Sequence, residues 1–91
     1  MPAVHFEIAG RVQGVGFRNF VRDQARALDV AGWVRNLSSG NIEVAAAGSE
    51  EGVQTLLTAV REGPPGATVK QIITLALQPS LEFPRPFTIL K

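Results

Sequence analysis

Three glycines separate a strand-like stretch of the chain from a helical one, within the segment Gly-Arg-Val-Gln-Gly-Val-Gly-Phe-Arg at residues 10–18. Glycine adopts positive φ angles that branched residues resist. A tight turn here can therefore aim several N–H groups into one concavity, at the positive end of the following helix. Arg18 falls in the first turn of that helix, where a cation is unfavourable unless an anion lies between it and the amides. An ordinary glycine-rich turn with a solvated arginine fits the spacing equally well.

Hydrophobic periodicity predicts the element order β-α-β-β-α-β followed by one further strand. Apolar residues that alternate along the chain indicate strands, and apolar residues at i, i+3 and i+4 indicate helices. Ser49 is a suitable N-cap for the second helix, and the Gly-Pro-Pro-Gly sequence at 63–66 ends it. The predicted strands cover residues 3–9, 33–37, 42–47, 69–77 and 87–90, and the predicted helices cover residues 17–28 and 50–62.

Each predicted helix has one apolar stripe, so the two helices most simply cover one face of a sheet. The resulting fold class is α/β (α+β): a ferredoxin-like two-layer sandwich, βαββαβ with an extra C-terminal strand. Its antiparallel or mixed sheet is covered on one face by both helices. With 91 residues, 45% of them hydrophobic, the chain can bury one core. We therefore expect a single domain over residues 1–91.

Composition excludes several classes of protein. The chain has no cysteine, which rules out disulfides, cysteine-ligated zinc and thiol nucleophiles. It has no apolar run near the roughly 18 residues of a membrane span, and residues 1–5 lack the features of a signal peptide. We therefore expect a cytoplasmic protein that does not bind membranes. The net charge of +1 is not typical of a nucleic-acid-binding protein.

The arginines are nevertheless concentrated around the glycine-rich segment. Residues 11–36 hold five arginines against two aspartates, which gives a local charge of +3. This field can steer a small anion towards the segment. A solvated basic helix face explains Arg22 and Arg26 equally well.

Few side chains in this sequence are suited to classical hydrolase chemistry. His5 is the only histidine, and we expect it at the surface or edge of the sheet, without a metal. Glu50 and Glu51 are adjacent on a helix, so their side chains diverge by about 100° and do not form an acid–base pair. Asn36 stands at the end of a predicted strand, where asparagine is uncommon. It either caps the strand or uses its amide to hold a water or a ligand.

Two motifs in order resemble the acylphosphatase family: the segment 10–18 quoted above and Gly-Trp-Val-Arg-Asn at 32–36. The similarity extends over nearly the whole chain and includes the Ser-Ser-Gly turn at 38–40. Asn19, where an aromatic residue is frequent in the family, and the proline-rich segment 84–86 depart from the family pattern. The resemblance implies a ferredoxin-like α/β sandwich that hydrolyses the carboxyl–phosphate bond of acyl phosphates without a metal or another cofactor.

Carried over to this sequence, the resemblance implies that Arg18 and Asn36 are catalytic, with Arg18 on the phosphoryl group and Asn36 orienting the attacking water. The implied phosphate-binding residues are Gln13, Gly14, Val15, Gly16, Phe17 and Arg18. The implied substrate is a small acyl phosphate, with inorganic phosphate as product and competitive inhibitor, and we expect a monomer. A carboxylate leaves without a general acid, so positioning and electrostatics suffice.

Two alternatives to a free enzyme share the predicted fold. One is a ferredoxin-like binding module, either a small-ligand regulator or an RNA-recognition domain, since residues 16–21 weakly echo the aromatic signature of that domain. There, however, the aromatic residues stack bases from a strand, whereas Phe17 and Phe20 have helical spacing and are expected in the core. The other is a relative of the acylphosphatase-like domain of larger maturation proteins that use carbamoyl phosphate. A chain of only 91 residues favours the free enzyme.

Overall fold

A computed structural model describes residues 2–91, and this part of the chain forms five strands and two helices. In chain order they are β1 (Ala3–Arg11), α1 (Phe17–Ala27), β2 (Ala31–Asn36), β3 (Ile42–Ala47), α2 (Glu50–Glu62), β4 (Thr68–Thr74) and β5 (Thr88–Ile89). The strands form one sheet in the order β4-β1-β3-β2-β5. The pairs β1–β4, β1–β3 and β2–β3 are antiparallel, and β5 pairs parallel to β2, so the sheet is mixed. The predicted ferredoxin-like sandwich with an extra C-terminal strand is confirmed.

Both helices pack on the same face of the sheet. Phe6 and Ile8 alternate along β1 and point to this face, as predicted, where they join the apolar stripes of the helices. The residues buried from the helices and central strands include Phe17, Val21, Ala25, Leu56, Val60, Val34 and Val44. Among residues 2–91, no helix is long and apolar enough to cross a bilayer.

Three strand boundaries differ from the predicted ones by more than one residue. β1 continues to Arg11 because a register shift between Ala9 and Gly10, where Gly10 has a φ of 134°, lets the strand bend and keep pairing with β4. β2 begins at Ala31, two residues earlier than predicted. β4 ends at Thr74 instead of residue 77, although the apolar run continues. Apolar character alone does not distinguish a strand from a segment that packs over a sheet.

The segment 75–86 connects β4 at one edge of the sheet to β5 at the other. It contains the proline-rich stretch and has no regular structure, as predicted for residues 79–86 but not for residues 75–77, which were predicted as strand. The N–H of Leu75 donates to the carbonyl oxygen of His5 (2.7 Å), and the N–H of Gly32 donates to that of Pro84 (2.9 Å). These bonds tie the segment to two different strands.

Glu43 is a nearly buried carboxylate on the sheet face opposite the helices, with only 8% of its surface exposed. Its Oε2 lies 2.6 Å from Nε2 of His5, and its Oε1 accepts a hydrogen bond from Nε of Arg35 (2.7 Å). Burial raises the pKa of Glu43, but hydrogen bonds from His5 and Arg35 and the charges of both groups outweigh burial. They hold the pKa below its ordinary value of 4.5. His5 thus lies on this face of the sheet, as expected, but its side chain is only 10% exposed and contacts a carboxylate.

We expect acid to lower the free energy of unfolding by protonating the carboxylate of Glu43. A carboxyl whose pKa is lower in the folded state stabilises the protein above its unfolded pKa, and this contribution is lost as the pH falls through the folded value. The free energy of unfolding should therefore decrease below about pH 4.5. Glu43→Gln should remove this part of the pH dependence and cost about 1–3 kcal/mol near neutrality, because a carboxamide offers one acceptor oxygen in place of the two that His5 and Arg35 occupy.

Urea unfolding between about pH 7 and pH 3 measures both effects. Glu62→Gln is the matched control, because Glu62 is an exposed carboxylate at the end of α2. An identical acid dependence in the Glu43→Gln variant and in the wild type would show that Glu43 does not carry it.

Candidate active site

The glycine-rich segment forms a tight turn between β1 and α1. Gly14 and Gly16 have φ angles of 79° and 78°, in the left-handed region that residues with a Cβ rarely adopt. A Cβ built on either glycine would meet no atom within 4 Å. The need for glycine at these two positions therefore comes from the backbone conformation, and crowding plays no part in it.

The N-terminus of α1 has no side chain to compensate its positive end. Gly16 is the N-cap residue and offers no side-chain hydrogen bond, and the first turn contains no acidic residue. The N–H of Phe20 donates to the carbonyl oxygen of Gly16 (3.0 Å), so the amides of residues 17–19 come before the first bond of the helix. The guanidinium of Arg18 adds a full positive charge to this end.

A small cavity of about 100 Å³ lies at this helix end. Its lining residues are Val12, Gln13, Gly14, Gly16, Phe17, Arg18, Asn19 and Asn36. Asn36 comes from the end of β2, so the cavity joins the two motifs that are separate in the sequence. Arg18 is half-buried and Asn36 is exposed.

The strand directions explain why Asn36 and the glycine-rich turn meet. β1 and β2 are both antiparallel to β3, and they therefore run parallel to each other. Their C-terminal ends lie at the same end of the sheet. β1 leads into the turn at Arg11, and β2 ends at Asn36.

The remaining predicted loop residues contribute in different ways. Phe17 lines the cavity, but its ring is buried in the core against Phe20, with the ring centroids 6.0 Å apart. Val15 does not line the cavity and packs against the core. The side-chain nitrogen of Gln13 donates to the carbonyl oxygens of Leu37 (2.9 Å) and Asn41 (3.0 Å). This nitrogen is therefore engaged by the β2–β3 turn.

Two lining residues, Val12 and Asn19, were not predicted as site residues. Asn19 lies in the first turn of α1, beside the free amides. A polar side chain at this position in the sequence could have indicated that Asn19 lines the site. Val12 is buried and carries no polar side chain, so nothing in the sequence distinguishes it from other core residues.

A larger cavity, of about 360 Å³, lies on the opposite face of the sheet, between it and the segment 75–86. Trp33, Arg35, Leu81 and Pro84 are among its lining residues, and no residue of the glycine-rich turn contributes. It also contains the carboxylates of Glu43 and Glu82, which disfavour an anion. Among residues 2–91, no three His, Asp, Glu or Cys side chains are grouped closely enough to hold a metal ion.

A family model described as Acylphosphatase matches residues 4–89. The chain belongs to the acylphosphatase family. It is 46% identical over 82 residues to the acylphosphatase of Acidiphilium cryptum, an alignment that covers 90% of each chain. As a member of this family, the chain is an enzyme that hydrolyses acyl phosphates, a class of small molecules. The family match favours this reading over an RNA-recognition module.

Solved structures share the complete architecture. The acylphosphatase of Bacillus subtilis is 34% identical, with a TM-score of 0.87 over the full length of both chains. Full-length HypF, solved in a phosphate- and nucleotide-bound form, is 31% identical with a TM-score of 0.83. That alignment covers 98% of this chain but 12% of HypF, so the likeness is to one part of a much longer protein.

Proposed function

We propose that Arg18 and the amides of the glycine-rich turn bind the phosphoryl group of an acyl phosphate, and that Asn36 orients the attacking water. The observation that carries this proposal is the composition of the small cavity. It combines a helix N-terminus without a side-chain cap, one guanidinium and the carboxamides of Gln13, Asn19 and Asn36. Backbone amides and a planar guanidinium suit the oxygens of a phosphoryl group.

The reaction needs little acid–base chemistry from the protein. Water forms a bond to phosphorus while the bond from phosphorus to the carboxylate oxygen breaks, and the electron pair leaves with the carboxylate. This leaving group is a stable anion near neutral pH and requires no proton. Arg18 is the only ionisable side chain lining the cavity within the described residues, so no side chain there is a base. We therefore assign the water's proton to a phosphoryl oxygen.

Rate enhancement then comes from positioning and from charge stabilisation. The loop amides belong to the folded turn, and in the proposed complex they and Arg18 face the oxygens on which negative charge is spread during transfer. The amide of Asn36 can accept from the water or donate to it, and either bond holds the water near the phosphorus.

We also infer that inorganic phosphate competes with the substrate, because it has the same phosphoryl oxygens that the turn binds in the substrate. The glycine-rich turn, Arg18 and Asn36 all belong to one chain. A monomer is therefore sufficient for the site.

Phosphate release from an aryl acyl phosphate, such as benzoyl phosphate, tests the proposed function. We expect turnover that is unchanged by a chelator, because a metal is not required in this mechanism. An aryl phosphate ester should be hydrolysed about 10²–10⁴-fold more slowly, because its leaving group needs a general acid. Loss of activity in EDTA that magnesium restores would contradict the metal-free mechanism.

A further inference from the structure

The side chain of Gln13 connects the glycine-rich turn to the turn between β2 and β3. Its Nε2 lies 2.9 Å from the carbonyl oxygen of Leu37 and 3.0 Å from that of Asn41. Both partners are acceptors only, so the atom between them must be the amide nitrogen, with both of its hydrogens donated. Leu37 and Asn41 follow Gln13 in the sequence by 24 and 28 positions, so both contacts are long-range.

The two carbonyl oxygens that Gln13 holds are the same two that close the β2–β3 turn. The N–H of Leu37 donates to Asn41 (2.9 Å), and the N–H of Gly40 donates to Leu37 (3.1 Å). The tip of this turn, at Ser38 and Ser39, is exposed. Gln13 therefore adds two long-range bonds to a turn that is otherwise held mainly by short-range ones.

Asn36 lies directly between the sheet and this turn. It forms the last register pair of β2 with β3, opposite Ile42, and the next residue is Leu37. The backbone on one side of Asn36 is thus fixed by the sheet. The backbone on the other side is fixed by the turn to which Gln13 is bonded.

We propose that Gln13 is a positioning residue, whose carboxamide fixes the β2–β3 turn against the glycine-rich turn and so sets the place of Asn36 relative to Arg18. This inference rests on the proposed function, in which Asn36 orients the water and Arg18 holds the phosphoryl group. Gln13 belongs to the turn that leads to Arg18. Its side chain therefore fixes the distance between this turn and the end of β2, which carries Asn36. A reacting group displaced by about 1 Å can lose about 10²-fold in rate.

A second bond holds the turn independently of the glycine-rich segment. Nδ2 of Asn41 donates to Oε1 of Glu7 on β1 (3.0 Å). The turn can therefore remain folded when Gln13 is replaced, while its position relative to Arg18 is no longer fixed. The expected result of losing Gln13 is a misplaced Asn36 in a folded protein.

Gln13→Met tests the inference, because methionine has a similar length and no hydrogen-bond donor. We expect kcat to fall by about 10-fold or more, while the inhibition constant of inorganic phosphate changes by less than about threefold, because Arg18 and the amides still bind the anion. In the Asn36→Ala background the same substitution should change kcat by less than about twofold, since it acts through Asn36. Gln54→Ala, an exposed glutamine on α2, is the control and should leave both quantities unchanged.

Equal losses of kcat in the wild-type and Asn36→Ala backgrounds would overturn the inference, and so would an unchanged kcat in Gln13→Met. Amide hydrogen exchange gives a readout that does not depend on activity. Exchange at Leu37 and Gly40 should accelerate in Gln13→Met and not in Gln54→Ala, whereas unchanged exchange would show that Gln13 does not hold the turn. A fully active Asn36→Ala variant would instead contradict the proposed role of Asn36, and the exchange rates would still decide whether Gln13 fixes the turn.

Discussion

Arg18→Gln is expected to lower kcat/KM by about 10³-fold or more, by analogy with other arginines that stabilise a transferring phosphoryl group. The amides of the glycine-rich turn replace only part of the guanidinium, which supplies both charge and paired donors. Competitive inhibition by inorganic phosphate should weaken in the same variant, because the guanidinium binds the ground state as well. Steady-state kinetics with phosphate as an inhibitor measures both effects.

The geometry of the guanidinium is tested by Arg18→Lys. An ammonium keeps the charge but lacks the planar fork, so this variant should recover little of the lost activity. Arg22→Gln is the matched control, one turn further along α1, where Nε of Arg22 donates to Asp23 (3.0 Å). It removes one positive charge outside the cavity and should change kcat/KM only slightly. Near-native activity of Arg18→Lys, or an equally large loss in Arg22→Gln, would show that Arg18 acts only through its positive charge and not through the geometry of its guanidinium.

Asn36→Ala is expected to lower kcat by about 10²–10³-fold, the usual loss for one oriented group at a reacting centre. KM and phosphate inhibition should change far less, because the turn and Arg18 still hold the anion. This split between kcat and KM separates the function of Asn36 from that of Arg18. Kinetics on the purified variant, with a denaturant melt of the same sample, gives the two quantities needed.

A purely structural role for Asn36 predicts the opposite result. A side chain that only caps the end of β2 would cost roughly 1 kcal/mol of stability when removed and leave kcat nearly intact. Ser38→Ala is the control within the same hairpin and should leave kcat and stability nearly unchanged, because Ser38 is exposed at the tip of the turn and does not line the cavity. A destabilised but fully active Asn36→Ala variant would remove Asn36 from the site.

The order of elements could be predicted because each one has a clear local signal. Alternation in β1 and the apolar stripes of both helices indicated the buried face directly. Ser49 was identifiable as an N-cap from its type and position, and its hydroxyl accepts from the N–H of Gly52 (3.0 Å). The end of β4 was predicted three residues too late because Leu75 and Leu77 continue the apolar run. Leu77 is in fact 54% exposed, outside the sheet.

The site could be predicted only in part. Glycine at positions 14 and 16 permits the positive φ angles of the turn, and the strand order of the predicted fold is sufficient to bring the ends of β1 and β2 together. Side-chain direction is the missing information. Nothing in the sequence indicates that Val15 turns to the core, or that Gln13 bonds to two carbonyl oxygens across the site. Such contacts depend on the relative position of two turns, which local patterns do not encode.

The central claim is that the turn and Arg18 hold the phosphoryl group while water attacks phosphorus. Its most direct test is to find which product receives the oxygen atom of that water. Benzoyl phosphate is hydrolysed by the enzyme in water enriched in the heavy oxygen isotope ¹⁸O, and the products are analysed by mass spectrometry, with the uncatalysed reaction subtracted. Attack at phosphorus predicts one labelled oxygen in inorganic phosphate and none in benzoate. Label in benzoate would mean that water attacks the carbonyl carbon, and it would contradict the assignment of the cavity to the phosphoryl group.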